Sequence, residues 1–183
     1  MRKEVKFCGF GGQGIILSGF IYGKAAAIYG GLEATMTQSY GPEARGGACS
    51  SDVVIEDGPV SFPEVTQPDV VVVMSRDAYN TYKKHIKPGV KVLYDQDLVQ
   101  VEKETGAEFI PIPSLKIAEG LGKKIVANIV MLGALAAAYD LVPKDAVKQA
   151  ILSTVPPATK ELNEKAFEAG FNSALQAMGK SKS

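Results

Sequence analysis

The stretch Gly9-Phe10-Gly11-Gly12-Gln13-Gly14 has the G-x-G-x-x-G spacing of a loop that carries a strand into a helix. The chemistry such a loop serves is anion binding. Glycines admit positive φ and let a ligand approach the backbone, and the following helix presents N–H groups at the positive end of its dipole. Three uses fit these residues: a dinucleotide, another phosphate-bearing ligand, or helix–sheet packing and subunit contact without a ligand. A dinucleotide also needs an acid at the end of the second strand, for the ribose hydroxyls. That end carries Met36-Thr37-Gln38, with Glu33 at the strand's start and Glu43 in the next loop. The Lys-Ser/Thr of a P-loop is missing as well, so an NAD-dependent enzyme is the least favoured of the three.

The second chemical stretch is Ser39-Tyr40-Gly41-Pro42-Glu43-Ala44-Arg45-Gly46-Gly47. It follows the second strand and reaches the same sheet end as the first loop if the sheet is parallel there, the edge where ligands of open α/β sheets bind. Arg45 could clamp a carboxylate or phosphate through paired N–H donors, or it could pair with Glu43 or with an acid of a neighbouring chain.

Groups for catalysis do not assemble from the rest. The single histidine, His85, lies among Lys83, Lys84 and Lys87 at a helix end and reads as a solvated, dipole-favoured side chain. No Ser-His-Asp set or H-E-x-x-H motif occurs. Asp95-Gln96-Asp97 follows a strand and reads as a capped loop rather than a cation site. Cys8 and Cys49 supply neither a zinc nor an iron–sulfur set, which need about four ligands; they read as buried reduced thiols.

The elements that must position these loops alternate. Strands are expected at residues 4–8, 32–37, 48–55, 69–74, 90–94 and 109–112. A helix is expected over 14–29, with small residues Gly19, Gly23 and Ala27 lying close to the sheet and Gly30-Gly31 ending it. A further helix over 76–85 is capped by Ser75, and helices near 114–121, 124–139, 143–153 and 158–178 complete the chain. Val70-Val71-Val72-Val73 is apolar on both faces, the pattern of a central strand covered on two sides. The expected fold is α/β, a three-layer Rossmann-like sheet, mostly parallel, with helices on both faces and a helical C-terminal third.

The 183 residues are expected to form a single domain. The formal net charge is zero with signs interspersed, which gives no argument for a nucleic-acid footprint or an anionic membrane partner. The basic tail Lys180-Ser181-Lys182-Ser183 reads as a solvated end. The apolar run 125–139 falls short of the roughly 18 residues of a membrane span and reads as a buried helix. No signal peptide is evident, and the expected location is the cytoplasm.

Taken together, the two glycine loops, the strand from Asp69 to Ser75 and the segment Ala127-Asn128-Ile129-Val130-Met131-Leu132-Gly133-Ala134 resemble the gamma subunit of 2-oxoacid:ferredoxin oxidoreductases, in order and over nearly the whole chain. The resemblance implies one subunit of an assembly that decarboxylates a 2-oxoacid to an acyl-CoA and reduces ferredoxin. It implies thiamine diphosphate and magnesium on partner alpha and beta chains, with iron–sulfur clusters on the beta chain or a small delta chain. On this chain it implies no catalytic or metal-binding residue. It implies contact with coenzyme A or a neighbouring chain through Gly11, Gly12, Gln13, Gly14, Tyr40, Glu43, Arg45 and Gly46. Tyr40-Gly41-Pro42-Glu43-Ala44-Arg45-Gly46-Gly47 is most similar to the 2-oxoglutarate type and related branched-chain types. Indolepyruvate small subunits share the first loop but differ at the second, and pyruvate-type chains carry two bulky residues where Ala44-Arg45 stands. The alternative is a free-standing nucleotide- or CoA-binding module without catalytic partners.

Overall fold

The computed structural model describes residues 1–40 and 47–179, with Glu104 described by its backbone alone. Six strands form one sheet: β1 (Arg2–Phe10), β2 (Glu33–Tyr40), β3 (Ala48–Glu56), β4 (Val70–Val73), β5 (Lys91–Asp95) and β6 (Glu108–Ile112). Their spatial order is β2-β3-β1-β4-β5-β6. The pairs β1/β4, β4/β5 and β5/β6 are parallel, whereas β3 is antiparallel to both β1 and β2. All strands but β3 therefore point one way. The expected parallel neighbour of the first loop is absent, yet two reversals restore the geometry. Gly9 faces Cys49, and Cys49 faces Tyr40, so β1 and β2 end at the same edge. The reversal also explains the connection over residues 57–69. Since β3 returns the chain to the edge where β4 begins, no crossover helix is required.

Helices α1 (Ile15–Lys24), α2 (Arg76–Tyr82), α3 (Ser114–Gly120), α4 (Ala127–Ala138), α5 (Lys144–Thr154) and α6 (Lys160–Ala177) cover the sheet unequally. Val5, Phe7, Val70, Val72, Leu93, Ile110 and Ile112 face a thick core that also takes residues of α1, α3, α4, α5 and α6. Cys8, Val71, Val73, Val92 and Tyr94 face a thin core closed by Ala78, Tyr79 and Tyr82 of α2. The four valines of β4 divide between the two, as their two-sided apolar pattern requires.

α1 continues through a π turn over Ala25–Tyr29. The wider turn rotates the face presented to the core, so Ala25 and Ala26 are buried while Ala27 is exposed. The expected stripe thus holds at Gly19, where a Cβ would collide with the Ser51 side chain, and breaks at Ala27. Leu32 N–H then donates to Ala26 O at 3.0 Å, and Gly31 closes the helix at φ 68°.

α4 is buried along all but one of its residues, Ala137. It crosses α6 where each helix has a glycine. A Cβ on Gly133 would meet Phe167 O, and one on Gly170 would meet Val130 O, so backbone touches backbone.

On the thin side, Lys6 Nζ donates to both Asp52 oxygens at 2.8 and 2.9 Å and lies 4.8 Å from the centre of the Tyr82 ring. His85 is half-buried nearby rather than solvated as expected. Burial, then the Lys6 and Lys84 charges, hold its pKa below the usual imidazole value, outweighing any helix-end attraction. The two cysteines lie on opposite faces of the sheet, which keeps their sulfurs from meeting. Burial pushes the Cys8 thiol up to about 12.

Replacing Gly170 by Ala is expected to lower unfolding free energy by about 1–3 kcal/mol through overpacking, read from urea denaturation; an unchanged midpoint refutes the backbone contact. Native protein at pH 8 is expected to leave Cys8 unmodified by iodoacetamide while urea-unfolded protein labels fully, since the buried thiol lacks the thiolate form. Rapid native labelling of Cys8 contradicts its burial.

Candidate functional site

The first loop is built by its own residues. Gln13 N–H donates to Phe10 O at 3.1 Å, closing a turn. The Gln13 carboxamide accepts from Phe10 N–H at 2.7 Å and donates to Met74 O at 3.0 Å. One side chain thus ties the end of β1 to the end of β4, and both its polar atoms are engaged in the scaffold. Gly9 is required because Gln13 Oε1 would lie 2.6 Å from a Cβ there. Gly14 starts α1 at φ 72°, and a side chain on it would strike Asn128. Gly14 O accepts from Ser18 Oγ at 2.9 Å and Asn128 Nδ2 at 3.3 Å. Ser51 Oγ donates to Ile15 O at 2.7 Å, anchoring the first turn of α1 on β3. Gly11 and Gly12, the latter at φ 95°, have nothing within 4 Å of a would-be Cβ. The tip of the loop is therefore bare backbone held rigidly from both sides.

A cleft of about 280 Å³ lies beside this tip, lined by Gly12, Gln13, Met74, Asp95, Ser114 and Lys124, among others. It occupies the carboxyl edge between β1 and the β4–β6 half, the crevice favoured by ligands in open α/β sheets. Its floor is set by Asp95, which is fully buried. The Asp95 carboxylate accepts from Asp97 N–H and Leu98 N–H, both at 3.0 Å, from Leu115 N–H at 2.9 Å, and from Ser114 Oγ at 2.5 Å. It closes the turn after β5 and caps α3, the loop role expected for it. Asp97 pairs with Lys116 at 3.2 Å. Among the described residues no group of three or more His, Cys, Asp or Glu side chains could hold a metal ion.

A second groove, about 290 Å³ and largely apolar, shares Gly12 and Ile125 with the cleft and is lined further by Gly14, Leu17, Lys123 and Pro156. α1 has no side-chain N-cap, so its start faces this region with uncapped N–H groups, whereas α4 is entered through a 3₁₀ turn over Lys124–Val126 in which Ala127 N–H donates to Lys124 O. Lys124 lines the cleft and Lys123 the groove, with Ile125 common to both. Bare glycine backbone, the start of α1 and two lysines together suit a flexible anionic ligand with an apolar segment.

Gly11, Gly12, Gln13 and Gly14 are therefore brought together at this edge. Tyr40 ends β2 in register with Gly9's partner Cys49; it is 70% exposed, and its hydroxyl lies 3.3 Å from Gln38 Oε1. Glu43, Arg45 and Gly46 lie outside the described residues, as does the basic tail. Among described residues the carboxyl end of β2 carries Gln38, Ser39 and Tyr40, and Glu33 sits at the far end opposite Glu56. Sequence reasoning missed Asn128, Ser114, Lys123 and Lys124. Only Asn128 left a signal, as the lone amide in an apolar run; the others reach the cleft through chain folding.

Residues 4–173 match the family model described as pyruvate ferredoxin/flavodoxin oxidoreductase. The chain is 52% identical over 179 residues to the 2-oxoglutarate synthase subunit KorC of Methanocaldococcus jannaschii, with 96% of each chain covered. The keto/oxoacid ferredoxin oxidoreductase gamma subunit from Geobacter sulfurreducens has the same fold, with TM-score 0.89 at 43% identity, covering 97% of this chain and 98% of that one. The 2-oxoglutarate:ferredoxin oxidoreductase from Magnetococcus marinus, solved with 2-oxoglutarate, coenzyme A and succinyl-CoA bound, gives TM-score 0.83 at 26% identity, covering 100% of this chain but 32% of that longer one. Sequence and fold agree over almost the full length, and this chain belongs to the pyruvate ferredoxin/flavodoxin oxidoreductase family.

Proposed function

We propose that this chain is the gamma-type subunit of a 2-oxoglutarate:ferredoxin oxidoreductase, which converts a 2-oxoacid and coenzyme A into an acyl-CoA and carbon dioxide and passes the electrons to ferredoxin. The observation that carries this reading is the end-to-end identity with a 2-oxoglutarate synthase subunit. The chain's residues do not fit the redox cofactors. Its two cysteines are buried on opposite sides of the sheet, and the carboxylates near the cleft are engaged in caps and ion pairs. Thiamine diphosphate with magnesium belongs to partner alpha and beta chains, and the iron–sulfur clusters to the beta chain or a delta chain.

The residues do fit coenzyme A. The bare Gly11–Gly12 tip and the lysines suit its phosphates, and the groove between Gly12 and Pro156 suits its pantetheine arm. Coenzyme A in the Magnetococcus enzyme supports the same reading. Arg45 lies outside the described residues, and its paired N–H donors make it a further candidate for the anion. The chain then acts as a single domain whose role is to hold and orient the acyl acceptor. Among described residues no helix is long and apolar enough to cross a membrane, and the cytoplasm is the proposed location.

The purified chain alone is expected to show no 2-oxoglutarate-dependent ferredoxin reduction, while addition of the thiamine-binding chains restores it. Activity from the chain alone, or no association with those chains, rules the subunit reading out in favour of a free-standing coenzyme-binding module or another enzyme. In the assembled enzyme Arg45→Ala is expected to raise the KM for coenzyme A about tenfold or more, as loss of a charge-assisted hydrogen bond implies, with kcat and the melting temperature little changed. An unaltered KM removes Arg45 from the site.

A further inference from the structure

The solvent side of α1 is apolar where a surface helix is normally polar. Leu17 and Phe20 are 40% and 49% exposed, and Ile28 in the following π turn is 67% exposed. The one charged side chain between Ile15 and Tyr29 is Lys24, and it is tied to Thr154 Oγ1 at 3.0 Å. Leu17 also lines the apolar groove, whose other wall carries Ile125, exposed by 72%. Helix face and groove form one apolar surface, and such surfaces mark sites of association.

We infer that this surface is the docking face for the chain that carries the thiamine-bound acyl group, an inference that rests on the subunit reading above. Two observations select that occupant. The groove and the coenzyme cleft share Gly12 and Ile125, so whatever covers the groove stands at the mouth of the cleft. Acyl transfer requires the coenzyme thiol and the acyl group to meet, and the acyl group is held on another chain. That chain must therefore abut this mouth. In the Magnetococcus enzyme, moreover, the same fold is about a third of a longer chain, so there it is joined to further structure of the enzyme. A second copy of this chain would bring no acyl group to the cleft.

The test is co-expression with tagged thiamine-binding chains of the same cell. Leu17→Glu with Phe20→Glu is expected to reduce recovery of this chain by about tenfold or more, as loss of central apolar anchors does, while its melting temperature in isolation is kept. Phe62→Glu, an exposed aromatic at the opposite edge of the sheet, is expected to assemble normally. Independently of folding effects, Phe20→Cys is expected to react with a maleimide in the free chain and to be protected in the complex. Normal assembly of the double variant together with labelling of Phe20→Cys in the complex overturns the docking face but leaves the subunit reading intact. Protection of Phe20→Cys by self-association of the isolated chain assigns the face to a second copy and also overturns it. Failure of the wild-type chain to assemble sinks the subunit reading itself, and the docking face with it.

Discussion

β1 has to satisfy two neighbours of opposite sense, and the rest of the molecule follows from that constraint. It pairs antiparallel with β3 on one side and parallel with β4 on the other. The chain leaves its carboxyl end toward β2 and β3, while β4, β5 and β6 build outward in the other direction. The divergence leaves a crevice at the end of β1, and the glycine turn lies across it. Gln13 holds that turn by bonding to both Phe10 and Met74, so the crevice keeps its shape through a single carboxamide. Asp95 performs the matching task on the far side, where it gathers the turn after β5 and the start of α3.

The two faces of the sheet are stabilised by different means. The thick side is a continuous apolar core that reaches the backbone contact between α4 and α6. The thin side has only α2 and encloses the Lys6–Asp52 pair beneath Tyr82. A buried ion pair contributes little net stability, yet losing either member leaves a charge without a partner in a poorly solvated place. The pair therefore acts chiefly as a constraint of register between β1 and β3. A slip of β3 by one residue would turn Asp52 into the thick core and leave Lys6 unpaired on the thin side.

Much of this architecture was legible in the sequence. The valine run, the glycine pair after the first helix and the alternation of strands and helices each report a local cause that survives in the fold. The direction of β3 was not read, because apolar alternation is the same in either sense. The clue lay in residues 57–69, which offer no helix for a parallel crossover. The π turn and the Gly133–Gly170 crossing were hidden for another reason: small residues in a helix mark close approach without naming the partner. At the site, Gly11, Gly12 and Gln13 were readable because loop chemistry is local. The capping role of Asp95 was readable as well, but its meeting with Ser114 and Lys124 was not, since three separate segments must fold before they share a cleft.

The β2–β3 hairpin has a consequence for how such a protein changes over generations. Tyr40 and Cys49 are paired in the ladder, so the second loop leaves and rejoins the sheet at adjacent strands. Its ends stay fixed whatever lies between them, and lengthening a loop closed in this way costs little entropy. The crevice keeps its form independently of that connection, because Gln13 and Asp95, not the hairpin, hold its two sides.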